Sequence, residues 1–244
     1  MADLINGRTG IYNGRVLLQQ NGEVGGHRNV FVKLQGGAKN ELVFPTFGCR
    51  LLNPFKGYGK FYAGDLVEYK TDGTGYILKT FEVASVSGTT ANIVRNGYRH
   101  IPMVGDILMV APNSFNATGT GVTVTGVSAT TATVGNKTID VWAVTTSAAT
   151  GASANGILVE ADKAGEGAKM LVQNPNMVLP WDLDCIYDPA VVTSDSDFEK
   201  ARYLFTPVIE GVMYEDKMSP LPAVVKALNS SRVAGWFSIN ALNK

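Results

Sequence analysis

The feature that most constrains this chain is an internal repeat. Gly64-Asp65-Leu66-Val67 recurs as Gly105-Asp106-Ile107-Leu108, an offset of 41 residues. At the same offset, Val86-Ser87-Gly88-Thr89-Thr90-Ala91-Asn92-Ile93 recurs as Val127-Ser128-Ala129-Thr130-Thr131-Ala132-Thr133-Val134. Two separate blocks in one register argue for two copies of one structural unit. Each unit reads as a Gly-Asp turn, a strand, a loop with Gly and Thr, and then a β-hairpin. Phe81-Glu82-Val83 and Val122-Thr123-Val124-Thr125 alternate with period 2, as half-buried strands do. A weaker third echo starts at Asn155-Gly156-Ile157-Leu158-Val159-Glu160. Two copies are too few for a propeller; closing them into a small barrel or packing them as a sandwich removes exposed sheet edges.

The flanks differ from this centre. Residues 1–62 hold eleven glycines, with turn pairs such as Asn13-Gly14, Asn21-Gly22 and Gly36-Gly37 between short apolar runs. Such a pattern predicts hairpins or an extended arm rather than helix. Towards the other end, Ser196-Asp197-Phe198-Glu199 has capping-box spacing and predicts a short helix ending before Pro207. Ser219 as N-cap and Pro220 at the first helical position predict a second helix, with Leu221, Val224, Val225 and Leu228 on its buried stripe. Gly235-Trp236-Phe237-Ser238-Ile239 reads as a terminal strand. The expected fold is therefore mainly β: a Gly-rich basic arm with hairpins over 1–62, a small barrel or sandwich of two similar units over 63–161, and a short α/β part over 162–244.

With 244 residues and 45% hydrophobic side chains, the chain has material for a real core. Its 21 basic and 21 acidic residues exclude bulk electrostatic attraction to nucleic acid or membrane. No apolar run approaches the roughly 20 residues that cross a bilayer. Met1-Ala2-Asp3-Leu4-Ile5-Asn6 lacks the basic and apolar regions of a signal peptide, so a soluble protein made in the cytoplasm, or assembling there, is expected. The neutrality conceals a dipole: residues 1–62 carry eight basic and three acidic side chains, while residues 160–216 carry twelve Asp and Glu. Such a dipole suits docking of one end onto an acidic surface, or head-to-tail association.

Catalytic patterns are weak. His27 and His100 have no Gly-x-Ser-x-Gly neighbour, and Cys49 and Cys185 lack a local activating motif, so both cysteines read as apolar packing groups. Asp182, Asp184, Asp188, Asp195 and Asp197 resemble a cation site at first. Counting from Asp182, however, the position that an EF-hand gives to Gly is Tyr187 and the position it gives to Glu is Thr193; capping and Asx-turn roles explain these residues better. No carboxylate spacing selects a glycosidase pair, and no Gly-rich loop has phosphate-binding form. No catalytic, cofactor or metal residues are expected, and the protein is read as non-enzymatic.

Three blocks carry a resemblance. They are Asn96-Gly97-Tyr98-Arg99-His100-Ile101-Pro102-Met103-Val104-Gly105-Asp106-Ile107-Leu108-Met109-Val110, Ser194-Asp195-Ser196-Asp197-Phe198-Glu199-Lys200-Ala201-Arg202-Tyr203-Leu204-Phe205-Thr206-Pro207, and the ending from Met218-Ser219-Pro220 through Ala227-Leu228-Asn229-Ser230-Ser231-Arg232-Val233-Ala234-Gly235-Trp236-Phe237. Together these resemble head-associated structural proteins of tailed bacteriophages, crAss-like phages in particular, over roughly residues 60–244. The resemblance implies an auxiliary or decoration protein on the capsid exterior, with the major capsid protein and other head proteins as partners and a tendency to homo-oligomerise. Arginine and aromatic side chains dominate interface energies, so Arg8, Arg15, Arg28, Lys33, Phe44, Phe47, Phe55 and Tyr58 are the expected capsid contacts. A head-fibre or receptor- and glycan-binding module is the alternative, and a tail component a more distant one. Trp142 is the sole Trp of the β-domain but sits in an alternating run, where burial is expected.

Overall fold

The computed structural model describes residues 10–12, 15–17, 49–56, 59–95, 99–179, 182–185, 204–205, 211–214, 218–231 and 237–240. The strands are β1 (Gly10–Tyr12), β2 (Arg15–Leu17), β3 (Cys49–Leu51), β4 (Gly59–Phe61), β5 (Leu66–Tyr69), β6 (Thr74–Ile77), β7 (Thr80–Ser87), β8 (Thr90–Val94) and β9 (Ile107–Val110). They continue with β10 (Thr118–Val134), β11 (Lys137–Thr146), β12 (Ile157–Glu160), β13 (Gly165–Lys169), β14 (Met177–Val178), β15 (Leu183–Cys185), β16 (Leu204–Phe205) and β17 (Gly211–Tyr214). Helix α1 (Ala223–Ser231) and strand β18 (Phe237–Asn240) complete the described elements. The described residues are mainly β, with one short helix among them near the C-terminus.

Six strands close a barrel. β7 pairs with β8, β8 with β11, β11 with β10, β10 with β9, β9 with β12, and β12 returns to β7, every pair antiparallel. Closure satisfies both edges of each strand along the ring. Alternation supplies its interior: Phe81, Val83, Ala91, Ile93, Leu108, Val124, Val144 and Leu158 form one buried cluster. A second sheet, in the order β14-β5-β6-β3-β16, lies beside it, antiparallel except for the β3–β6 pair.

The repeat has a defined physical basis. Tyr62–Asp65, Met103–Asp106 and Ser153–Gly156 each form a turn closed by an N–H···O bond of 2.9, 3.0 and 3.0 Å. The third residue has positive φ in each: +92° at Gly64, +89° at Gly105 and +61° at Asn155. That is the geometry of a type II turn, which wants Gly or Asn there. Each turn then grips a distant residue through two reciprocal backbone bonds. Gly64 N–H donates to Leu179 O (2.8 Å) and Leu179 N–H to Asp65 O (2.8 Å). Gly105 and Asp106 hold Val124 in the same way (2.8 and 2.8 Å), and Asn155 and Gly156 hold Val83 (2.7 and 2.9 Å). The Asp side chain locks its own turn, since Asp65 Oδ2 accepts from Tyr62 N–H at 2.7 Å and Asp106 Oδ2 from Met103 N–H at 2.9 Å. The third turn has Gly156 in place of Asp, which explains why its sequence echo is weak.

Val83 and Val124 are themselves 41 residues apart, and each sits at a β-bulge where its strand changes partner. Beyond Ser87 and Ser128 the two units diverge, and here the sequence alignment misleads. Gly88 (φ +57°) turns β7 back into β8, with Ser87 opposite Thr90. A positive φ at the first central residue alone defines a type II′ turn and favours Gly. The aligned residue in the second unit is Ala129, whose Cβ disfavours that conformation. The strand therefore continues to Gly135 (φ +60°), and Ala129 lies mid-strand opposite Trp142. The second hairpin is thus the longer one and projects from the barrel, with Ser128–Thr131 exposed.

Hydrogen bonding links the three expected parts: β3 pairs with β6, β14 with β5 and β13 with β10, and residues 49–61 share a core cluster with Val67, Ile77, Met177 and Leu179. Other expectations are corrected by packing. The helix expected from Ser196 falls mostly outside the described residues, and its end is a strand, because Leu204–Phe205 pairs with β3. Helix α1 begins later than Ser219: Lys226 N–H reaches Pro222 O at 3.1 Å. Leu221, Val224 and Val225 are buried as expected, packing with Leu66, Leu78, Met109 and Val159. The terminal strand is β18, parallel to β17.

Glycine is required where backbones meet. A Cβ at Gly121 would lie 2.1 Å from Lys163 O, a backbone atom that cannot yield locally, whereas a Cβ at Gly126 would meet nothing closer than 3.7 Å. Gly121→Ala is expected to cost about 1–3 kcal/mol of overpacking. Gly126→Ala is expected to stay within about 0.5 kcal/mol of the wild type, as surface changes do. Urea midpoints of the two variants check this.

Candidate functional site

The described polar groups concentrate in two buried clusters. The first surrounds the Gly64–Asp65 turn. Asp65 Oδ2 accepts from Tyr62 N–H and from His100 Nε2 (2.8 Å), while Ser219 Oγ donates to Asp65 Oδ1 at 2.6 Å. Thr80 N–H donates to His100 Nδ1 at 3.1 Å, which assigns the ring's proton to Nε2. His100 is fully buried, edged by the rings of Phe55, Phe61, Tyr62 and Phe81 at centroid distances of 5.8–6.3 Å. Ser, His and Asp therefore meet, but not in the order of a nucleophile relay. The serine hydroxyl is bound to the carboxylate rather than the imidazole, and the other imidazole nitrogen is taken by the backbone. The carboxylate gathers one donor from its own turn and two from distant parts of the chain, and so joins the C-terminal segment to the first turn. Ser219, expected as a helix cap, spends its hydroxyl here, which is why α1 starts without it.

The second cluster centres on Lys79, between β6 and β7, and Glu160 at the end of β12. Lys79 is 1% exposed, its Nζ 3.1 Å from Glu160 Oε1, 3.4 Å from Pro54 O, and 4.8 Å from the centroid of the Phe55 ring. Asn53 donates to Glu160 Oε2 at 2.6 Å and to Ile77 O at 2.8 Å, and its own carbonyl accepts from Ile77 N–H at 2.9 Å. Burial pushes the Glu160 carboxyl above the usual range and outweighs the opposing pull of Lys79 and Asn53; Asp106 adds to the rise. Asp106 Oδ1 is buried without a partner among the described residues, unlike its counterpart Asp65 Oδ1. The first cluster was legible in part, through Asp65 and His100. The second was missed; its only signal is a lone Lys within the apolar run Tyr76-Ile77-Leu78-Lys79-Thr80-Phe81.

Of the expected capsid contacts, Arg8, Arg28, Lys33, Phe44, Phe47 and Tyr58 lie outside the described residues, and Arg15 is placed only as part of strand β2. Phe55 is corrected. It has no exposure, and its ring lies 4.6 Å from that of Phe61 beneath Lys79, so it anchors the chain's own core and cannot contact a partner. Gly59 makes room for it, since a Cβ there would fall 2.2 Å from the Phe55 ring. Trp142 is half-buried against the barrel cluster, with the Arg95 guanidinium 4.7 Å over its ring. Asp182 supports the first turn, accepting from Ala63 N–H at 3.0 Å with Lys60 at 3.8 Å. The side chains of the other acidic candidates lie outside the described residues.

Comparison with protein-family models, with curated proteins and with solved structures finds no match for this chain.

Two predictions follow from the buried groups. Lys79→Met leaves Glu160 buried without its cation and is expected to cost about 3–5 kcal/mol near neutrality, whereas Lys79→Met/Glu160→Met restores most of the loss. A raised folded-state carboxyl contributes stability that is full below its unfolded value of about 4.3 and is lost as pH rises through the folded value. Removing Lys79 raises that value further, so the cost of Lys79→Met is larger at pH 7 than at pH 4, as denaturant titrations at the two pH values measure. Burial, with a smaller push from Asp72, drives the Cys49 thiol up to about 12. Cys49 should therefore resist alkylation at pH 8 in the native chain and react in urea, as peptide mass spectrometry reads out.

Proposed function

We propose that this chain is a non-enzymatic structural protein of a tailed-bacteriophage virion, an auxiliary or decoration protein bound to the outside of the capsid with the major capsid protein as its partner. The observation that carries the reading is where the family-like strings fall. The block at 96–110 contains His100 and the Gly105–Asp106 turn, and the ending contains Ser219. The resemblance thus rests on residues that hold the fold together, as it would between proteins sharing a scaffold. The described polar clusters support the same reading, because their hydrogen bonds are spent on joining segments of the chain. With Phe55 withdrawn, the docking surface reduces to the basic side chains Arg8, Arg15, Arg28 and Lys33 and the aromatics Phe44, Phe47 and Tyr58, in a region with eight basic and three acidic residues.

The test is co-sedimentation of the full chain with capsids of a crAss-like phage, the copy number counted by quantitative mass spectrometry. Saturable binding at many copies per particle is expected, and the Arg8→Glu/Arg15→Glu/Arg28→Glu/Lys33→Glu variant should lose at least tenfold in affinity. Failure of the wild type to bind would overturn the capsid assignment; full binding by the variant would overturn the arm as its contact.

A further inference from the structure

The projecting β10–β11 hairpin leaves one strand edge open. Val134 and Lys137 flank a two-residue turn and face each other, the position where antiparallel partners exchange both backbone bonds. Alternation then turns the N–H and C=O groups of Thr133, Thr131, Ala129 and Val127 away from β11. Nothing among the described residues pairs with them. β9 meets β10 only at Val122–Thr123, β13 only at Thr118–Gly121, and the Gly105–Asp106 clasp ends at Val124.

Proteins that stay monomeric blunt such an edge with Lys, Pro, a bulge or brevity. The two edges of this one hairpin differ in that respect. The pairing of β11 with β8 runs on to Asp140, whose carbonyl accepts from Arg95 N–H at 2.9 Å, and the free end beyond it carries Lys137. From Thr125 to Val134, β10 carries neither a charge nor a proline over ten residues. At the base of this unprotected edge stands Val104, 58% exposed, next to the Gly105 that binds Val124.

We infer that the open edge of β10 is the site where a second copy of this chain adds, antiparallel, to make a continuous β11-β10-β10-β11 sheet across a two-fold axis. A second copy is the occupant because the edge complements itself. A register centred on Thr130 sets Val127 opposite Thr133, Ala129 opposite Thr131 and Ser128 opposite Ala132, with about eight backbone hydrogen bonds gained. An uncharged edge has no like charge to oppose in its own copy, and the chain's zero net charge adds no repulsion between copies. The same register carries the half-buried Val134 at each hairpin tip towards the exposed Val104 at the base of the other. The inference is independent of the capsid reading.

Sedimentation equilibrium of the full chain across micromolar concentrations tests it, with twice the monomer mass expected. Thr131→Pro removes one outward N–H at a position where edge strands tolerate proline. It should yield folded monomer whose thermal midpoint, unlike that of the wild type, no longer rises with protein concentration; should it unfold instead, Thr131→Lys gives the same reading by placing a charge on the edge. Thr130→Cys should form a disulfide-linked dimer on mild oxidation, mapped to residue 130, because the two Thr130 positions face each other as a non-hydrogen-bonded pair within disulfide reach. A monomeric wild type overturns the inference. So does a folded Thr131→Pro or Thr131→Lys variant that remains dimeric, which would place the contact elsewhere.

Discussion

Two backbone hydrogen bonds, made reciprocally between a tight turn and a residue far away in sequence, organise this fold three times over. In each case the turn ends where a strand begins, so gripping Leu179, Val124 or Val83 also fixes the start of β5, β9 or β12. Two of the gripped residues lie at bulges where a long strand leaves one neighbour for another, the discontinuity that a small closed barrel needs to turn its corners. The requirement for positive φ, and for a carboxylate to cap the turn's first N–H, is what the repeated Gly-Asp pair encodes.

The buried charges extend this scheme. Asp65 is fully satisfied because His100 and Ser219 arrive from two other segments, so the first turn becomes the junction of the N-terminal strands, the barrel and the C-terminal helix. Lys79 and Glu160 do the same between β6 and β12, with Asn53 and Phe55 closing the cluster from the N-terminal side. Buried ion pairs add little net stability over apolar packing, but breaking one is costly. Their effect is to penalise any arrangement in which these segments are not in register.

How far this was legible in the sequence depends on whether a signal was local. The Gly-Asp turns, the period-2 strands and the terminal strand were readable, because φ preference and side-chain alternation act over a few residues. The repeat sets Ala129 against Gly88, yet the second hairpin turns at Gly135: similarity of the flanking Ser, Thr and Ala hides the one atom, a Cβ, that decides where the chain can reverse. Phe55 was assigned to a docking surface because its Gly- and Pro-rich surroundings resemble an arm; only the three-dimensional fold shows the Gly59 notch that lets the ring into the core. Ser219 was assigned as a helix cap, a local role, when a carboxylate 154 residues away takes its hydroxyl. Partners set by tertiary structure, such as Lys79 with Glu160, leave no periodicity to read.

A barrel fixed in this way gives a rigid base from which the long hairpin projects, and rigidity is what a scaffold must supply to hold a strand edge at a set angle. Hydrogen exchange by nuclear magnetic resonance tests the central claim most directly. If the three clasps organise the fold, the amides of Gly64, Gly105, Asn155, Leu179, Val124 and Val83 exchange only through global unfolding, although three of them lie in turns. Exchange of the Gly64, Gly105 and Asn155 amides as fast as those of the open hairpin turn at Gly88 would contradict it.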